Sequence, residues 1–283
     1  MTITIVYKES RYEIFQRCED DGERQVMLQE VNGIGDMIRK HDAHYSSLEK
    51  VIATVKATGD PYQAIMRTDI ATLQGSSLVI PVGGDGTFID ASHYILNGTP
   101  ILGINSDPNE SSGFFCYGQA KDLAYALAHL DTIPKTTVKR MQVELDGKVL
   151  ETPALNDVLL RHIYLGSSWW TVQDNGDETL YKYPYMFMVA TPAGTTAGMW
   201  GIEGDKLPLD SLLMEYRFVG LRGHPSHFTE KLEISSRTNR GVLQIDGYHI
   251  RYDVKYGTRI TLSLDAPSLT VIGDLEEKRK QFY

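Results

Sequence analysis

The stretch Leu78–Leu96, LVIPVGGDGTFIDASHYIL, constrains the fold of this chain more than any other. Five apolar residues, 78–82, read as a buried strand. Residues 87–96 read as a helix, ended by Asn97-Gly98. Between them stand Gly83, Gly84, Asp85, Gly86 and Thr87. Glycine has no Cβ, so the backbone can turn sharply there and admit a phosphate group close to its N–H donors. The helix N-terminus behind the turn favours negative charge. A carboxylate at such a joint repels a phosphate unless it has work of its own. It either holds a divalent cation or accepts the proton of a hydroxyl that attacks phosphorus. The plainer alternative is a tight strand-to-helix turn with Asp85 as the helix cap. The loop departs from GxxxxGK[ST], since no lysine follows, and from GxGxxG with an acidic residue after a second strand.

Elements of the same kind flank this joint. Residues 3–7 (ITIVY) read as a short buried strand. In SSLEKVIATVKATGD, Ser46 and Glu49 fit a capping box, Leu48, Ile52 and Val55 share a helical face, and Gly59 suits the stop. Residues 100–105 (PILGIN) read as a third strand, and Leu123, Leu127 and Leu130 line one face of a further helix. Strands alternating with helices predict parallel pairing and a doubly wound α/β domain.

Beyond about residue 134 the texture changes. KRMQVELDGKVLE reads as two strands joined at Asp146-Gly147. Further short β-like runs follow: ALNDVLLRH, YMFMVATP, KLEISSR, GVLQIDGYHIRYDV and RITLSLD. The expected organisation is an α/β domain over residues 1–133, a mainly antiparallel β domain over 134–270 and a charged tail over 271–283, a solvated helix or extension.

Bulk properties narrow the function. At 283 residues the chain has room for two domains. Its net charge of −9 argues against nucleic-acid or anionic-membrane partners, which need a basic surface. Two cysteines without a CxxC pair suggest a reducing compartment and no structural zinc. No targeting segment and no membrane-length apolar run is read, so a cytoplasmic location is expected.

GGDGT, then GIN, SGFF, ALND and TPAGTTAG, in that order, resemble the motif series of NAD kinases. YKESRYEIFQR, HDAHYSSLEKVIATVKATG and PILGINSDPNESSGFFC look like the mitochondrial-type branch. The resemblance runs from about residue 5 to about 200 and is thin beyond, apart from Ile245-Asp246-Gly247. It implies an N-terminal α/β domain and a C-terminal β domain with sites between them. It also implies ATP-dependent phosphorylation of the adenosine ribose 2′-hydroxyl of NAD to give NADP, with Mg²⁺ accompanying ATP and a homodimer or homotetramer as the assembly. Carried over by motif, Asp85 is the expected base, and Gly83, Gly84, Gly86 and Thr87 line the phosphates. NAD contacts are expected from Asp85, Gly86, Phe114, Asn156, Asp157, Thr195, Thr196 and Ala197, with Phe114 packed on the adenine. No residue is assigned as a metal ligand.

The chain departs from the family pattern at three places. Its Asn156-Asp157 replaces the usual Asn-Glu, Gly198 stands where many members have an aromatic, and YPYM (183–186) replaces Gly-Asp-Gly. GGDGT alone is shared with diacylglycerol-type lipid kinases, which makes a lipid kinase the rival enzyme. A non-catalytic nucleotide sensor is the rival outside enzymes. Elsewhere, His224 and His227 around Pro225 read as a surface loop, Cys116 as a small buried apolar residue, Asp246-Gly247 as a hairpin turn, and one of Trp169 and Trp170 as core.

Overall fold

The computed structural model describes residues 1–282 apart from Leu165 and Asn175. The chain divides into two compact units, Met1–Thr136 together with the C-terminal segment from Thr270 on, and Thr137–Leu269.

The first unit is built on five parallel strands in the order β2-β1-β3-β4-β5. They are β1 (Ile3–Tyr7), β2 (Tyr62–Met66), β3 (Leu78–Gly83), β4 (Gly103–Asn105) and β5 (Cys116–Gly118). The helices are α1 (Arg11–Arg17), α2 (Asp21–Gln29), α3 (Ile34–Ala57), α4 (Asp85–Ser92), α5 (Leu123–Ala128) and α6 (Leu275–Phe282). Ile3, Ile5, Leu78, Ile80, Val82 and Ile104 pack against Leu48, Val51 and Val55 of α3 and Leu123 of α5. From β1 the chain runs to β2 on one side and then to β3 on the other. The winding therefore reverses at the carboxyl ends of β1 and β3, where open α/β sheets bind ligands.

The parallel doubly wound reading holds, with local corrections. Ser46 does not start a helix; it lies inside α3, which begins twelve residues earlier after Gly33 at φ 83°. The apolar face is interrupted at His44, which is buried yet satisfied: its ring nitrogens bond Ser106 Oγ at 3.0 Å and the Lys8 carbonyl at 2.9 Å. A capping box forms instead at Ser10, whose N–H donates to Glu13 at 2.8 Å while its Oγ accepts from the Glu13 N–H at 3.2 Å. Helix α4 opens at Asp85 rather than at residue 87 and closes at Ser92. The C-terminal helix is not solvated all round: Leu275 and Arg279 are buried, and Lys278 Nζ donates to the carbonyls of Gly113 and Cys116.

The second unit pairs two six-stranded sheets. Its strands are β6 (Lys135–Leu145), β7 (Lys148–Val149), β8 (Asp157–His162), β9 (Trp169–Asp174), β10 (Asp177–Lys182), β11 (Met186–Ala190) and β12 (Met214–Val219). Then come β13 (His227–Thr229), β14 (Lys231–Ser236), β15 (Gly241–Ile245), β16 (Ile250–Val254) and β17 (Arg259–Ile272). The sheet orders are β10-β9-β14-β17-β6-β7 and β13-β12-β11-β8-β15-β16. Alternate residues of facing strands fill the core, among them Trp170, Phe187, Tyr216, Leu243 and Leu262. Both Asp-Gly pairs turn hairpins through positive φ, at Asp146 (48°) with Gly147 (83°) and at Asp246 (49°) with Gly247 (118°).

Candidate active site

The expected site residues fall into two groups, one in each unit. In the first unit, β3 delivers the glycine loop to the carboxyl edge of the sheet and α4 carries it away. A Cβ on Gly83 would lie 2.3 Å from Thr87 Oγ1, and one on Gly84 would lie 2.4 Å from Ser111 Oγ. Both positions are therefore closed to any side chain. Gly86 is exposed and open, so its backbone can be approached. Thr87 is only 2% exposed, and its Oγ1 has no hydrogen-bond partner among the described residues.

Asp85 is the first residue of α4, and its carboxylate faces the segment 112–115. Oδ1 accepts from the Phe115 N–H at 2.9 Å. Oδ2 accepts from the Phe114 N–H at 3.0 Å and from Ser112 Oγ at 3.1 Å. A carboxylate has about four acceptor directions, so one remains open. The same segment is gripped on its carbonyl side by Lys278 from α6. Burial lowers the pKa of that lysine, and Asp85 works in the opposite direction. Phe114 is buried and lies edge-on to Phe115, which stacks on Phe88 of α4. Cys116, behind them, is buried, and burial followed by the Asp85 charge raises its thiol to about 12.

In the second unit, Asn156 and Asp157 stand at the entry to β8, held from below by Asp246. The Asp246 carboxylate accepts from the N–H groups of Leu155 (2.7 Å), Asn156 (2.7 Å) and Asp157 (2.9 Å), and its own N–H donates to the Asp157 carbonyl at 3.0 Å. The fully buried Arg140 supplies an opposing charge to Asp246, and its Nε donates to the Pro267 carbonyl at 2.7 Å. The small-residue turn after β11 locks onto the same segment. The Thr191 N–H donates to the Asn156 carbonyl at 2.8 Å and Thr191 Oγ1 to the Leu155 carbonyl at 2.5 Å. Gly194 packs so closely that a Cβ there would lie 1.9 Å from the Asn156 oxygen.

Within that turn Thr195 and Thr196 are buried, and their hydroxyls donate back to Pro192 (2.8 Å) and Ala193 (3.3 Å), while Ala197 is exposed. Asn156 Oδ1 is buried with no hydrogen-bond partner among the described residues. An amide oxygen left in that state costs stability unless a ligand donor reaches it. Burial, then the nearby Asp246 charge, pushes the Asp157 carboxyl up to about 7. Two of the departures from the family pattern touch here: a Cβ on Gly198 would lie 3.3 Å from Asp157 Oδ2. Sequence reasoning took Asp246 for a turn residue and gave Lys278 no role. Both act across long stretches of chain, where no local pattern signals them.

The architecture is that of NAD kinases of known structure. The chain superposes over its whole length on 97% of an Archaeoglobus fulgidus NAD kinase solved with ATP (TM-score 0.73, 16% identity). It superposes over 99% of its length on 86% of a yeast NADH kinase solved with NADH (TM-score 0.69, 14% identity). No known family's sequence profile matches the chain. Individual relatives do. A probable NADH kinase of Oryza sativa subsp. japonica is 29% identical over 243 residues, 74% of this chain and 75% of the relative. An NADH kinase of Arabidopsis thaliana is 26% identical over 244 residues, 74% of this chain and 77% of the relative. The human mitochondrial NAD kinase 2 matches 123 residues at 26% identity, 40% of this chain and 28% of its own. In sequence and in fold the chain is thus similar to NAD and NADH kinases.

Proposed function

We propose that the chain is an NAD kinase, transferring the γ-phosphate of ATP to the adenosine ribose 2′-hydroxyl of NAD to give NADP. The observation that carries this reading is the sequence similarity to NADH kinases over 74% of the chain together with the whole-length fold match to an NAD kinase, with a carboxylate at the mouth of a glycine loop. A lipid kinase sharing only that loop would not account for the close packing of Gly194 on Asn156 in the second unit.

In this reading the first unit holds the donor. N–H groups of Gly84, a position closed to side chains, and of the open Gly86, with the N-terminus of α4, face the phosphates. Asp85 uses its open acceptor direction to take the 2′-hydroxyl proton. The ribose oxygen then forms its bond to Pγ, the bond from Pγ to the bridging oxygen breaks, and ADP leaves with the electron pair. The three hydrogen bonds from residues 112–115 fix the orientation of that carboxylate, and positioning is most of what phosphoryl transfer requires. The second unit recognises the acceptor: Asn156 Oδ1 and the Asp157 carboxyl are the polar groups available to ribose hydroxyls or a nucleobase amine, and the turn 194–197 supplies a small-residue floor.

Among the described residues no group of three or more His, Cys, Asp or Glu is arranged to hold a metal. Mg²⁺ would arrive with ATP, and Asp85 is the loop carboxylate that would stand near it. The ion would neutralise charge on the phosphates. A homo-oligomer belongs to the same proposal. No helix among the described residues is long and apolar enough to cross a membrane.

The test is Asp85→Asn in a coupled assay feeding product to an NADP-specific dehydrogenase. The rate should fall by roughly 10²–10⁴ with the fold retained. Activity within a few-fold of the parent would remove Asp85 from the role of base.

A further inference from the structure

The parallel sheet ends in a row of residues that this reaction scheme leaves unused. Tyr7 of β1 pairs with Met66 of β2 and with Val82 of β3. Immediately after β1 comes Lys8, and immediately after β2 comes Arg67, which opens a 3-10 turn over 67–69; Gly83 follows Val82 as the last residue of β3 and pairs with Asn105. In-register neighbours of a parallel sheet share a face. Thr4 and Gln63, which lie in the same phase as Lys8 and Arg67, are joined by a 3.0 Å side-chain hydrogen bond. Two cations thus leave neighbouring strands at the winding reversal, beside the glycine loop, and the charge of Arg67 acts on Lys8.

Each has room for an anion. Arg67 Nη1 lies 3.9 Å from the position a Gly86 Cβ would take, so its guanidinium borders the open part of the loop, and it pairs with Asp90 of α4 at 2.9 Å. Lys8 is half-buried, and its ammonium has no hydrogen-bond or ion-pair partner among the described residues. Burial, then Arg67, weakens its hold on its proton, and Lys40 acts in the same direction. Asp107 and Glu110 oppose this, but both are engaged elsewhere. Arg39 binds Asp107 at 3.3 Å and Glu110 at 3.0 Å, and Lys40 binds Glu110 at 2.7 Å. His44, whose pKa is lowered to about 4 chiefly by burial, bonds the Lys8 carbonyl as a neutral ring and adds no competing charge. Lys8 also lines a cavity of about 200 Å³ with Lys40, His44, Ser106, Asp107 and Glu110. Asp90 offsets only one of the two charges, so the pair presents positive potential at the sheet edge in a chain of net charge −9.

We propose that Lys8 and Arg67 form the cationic wall of the donor site, binding the phosphate groups of a polyphosphate whose other side lies against the glycine loop. The inference rests on the kinase reading and extends it. Lys8 acts as a point charge, and Arg67 offers a planar fork that it shares with Asp90. The chemistry recognised is the linear phosphate chain itself, whether carried by adenosine or free.

The experiment titrates the whole protein with inorganic tripolyphosphate and with ATP in a calorimeter, for the parent, Lys8→Met and Arg67→Gln. The parent should bind both, more weakly as salt rises, and each variant should lose about tenfold in affinity for both. In the coupled assay the KM for ATP should rise about tenfold while that for NAD stays within about twofold, with partial recovery in Lys8→Arg. Melting curves confirm that the variants fold, and Lys8→Gln and Arg67→Lys replace any that do not. Variants that bind tripolyphosphate as tightly as the parent overturn the inference, and so does ATP binding that is insensitive to both substitutions. A chain that makes no NADP yet loses tripolyphosphate binding in the variants overturns the kinase reading and leaves this site standing.

Discussion

Asp157 pays for its place in the second unit with its charge. Its carboxyl titrates at about 7 rather than 3.8, first because it is buried and then because Asp246 is ionised nearby. Between those two values the folded chain holds a proton that the unfolded chain has released, so stability falls as pH rises through the window. The displacement corresponds to roughly 4 kcal/mol above pH 7, of which roughly 1.5 kcal/mol is already present near pH 5. Asp157→Asn keeps the shape of the side chain and removes the ionisation. The variant should therefore gain on the parent by about 2–3 kcal/mol as the pH is raised from about 5 to about 8. Urea unfolding of both proteins at several pH values across that range measures the difference directly. Groups that titrate alike in the two proteins cancel. A gap that stays constant with pH would refute the reasoning, because it would mean that Asp157 ionises freely in the folded chain.

Two further substitutions address the same pocket. Gly194→Ala drives a methyl group into the Asn156 carbonyl and should cost about 3 kcal/mol, read as a lowered urea midpoint, with loss of NAD binding by calorimetry. Asp246→Ala strips three N–H groups of their acceptor and leaves Arg140 buried without its opposing charge. A loss of at least 3 kcal/mol is expected, and a variant as stable as the parent would show that the three bonds carry little.

The parts of this protein that were legible in its sequence are those whose signal is local. The apolar run 78–82 marks a strand buried on both faces, and the glycines at 83, 84 and 86 mark a backbone that must turn without side chains. The Asp-Gly pairs mark hairpins because few other residues accept positive φ at both turn positions. The edge strand β2 escaped notice: YQAIM is partly exposed along its length and lacks the continuous apolar character of its neighbours. The true start of α3 was hidden because Gly33 provides no side-chain cap and because His44 occupies a core position through hydrogen bonds rather than hydrophobicity. At the site, the motif residues were legible and their supports were not. Asp246 holds residues about ninety positions away, and Lys278 grips a loop more than 160 positions upstream. The alignment of Lys8 with Arg67 and Gly83 becomes visible only once the register of three strands is known.

The first unit is assembled from both ends of the chain, whereas the second is one uninterrupted stretch. During synthesis the β unit can therefore complete its core while the glycine-loop unit still waits for α6 and the grip of Lys278 on residues 113–116. The half of the protein translated first is thus the last to be finished. Clipping about ten residues from the C-terminus should damage the glycine-loop half while leaving the antiparallel sheets intact.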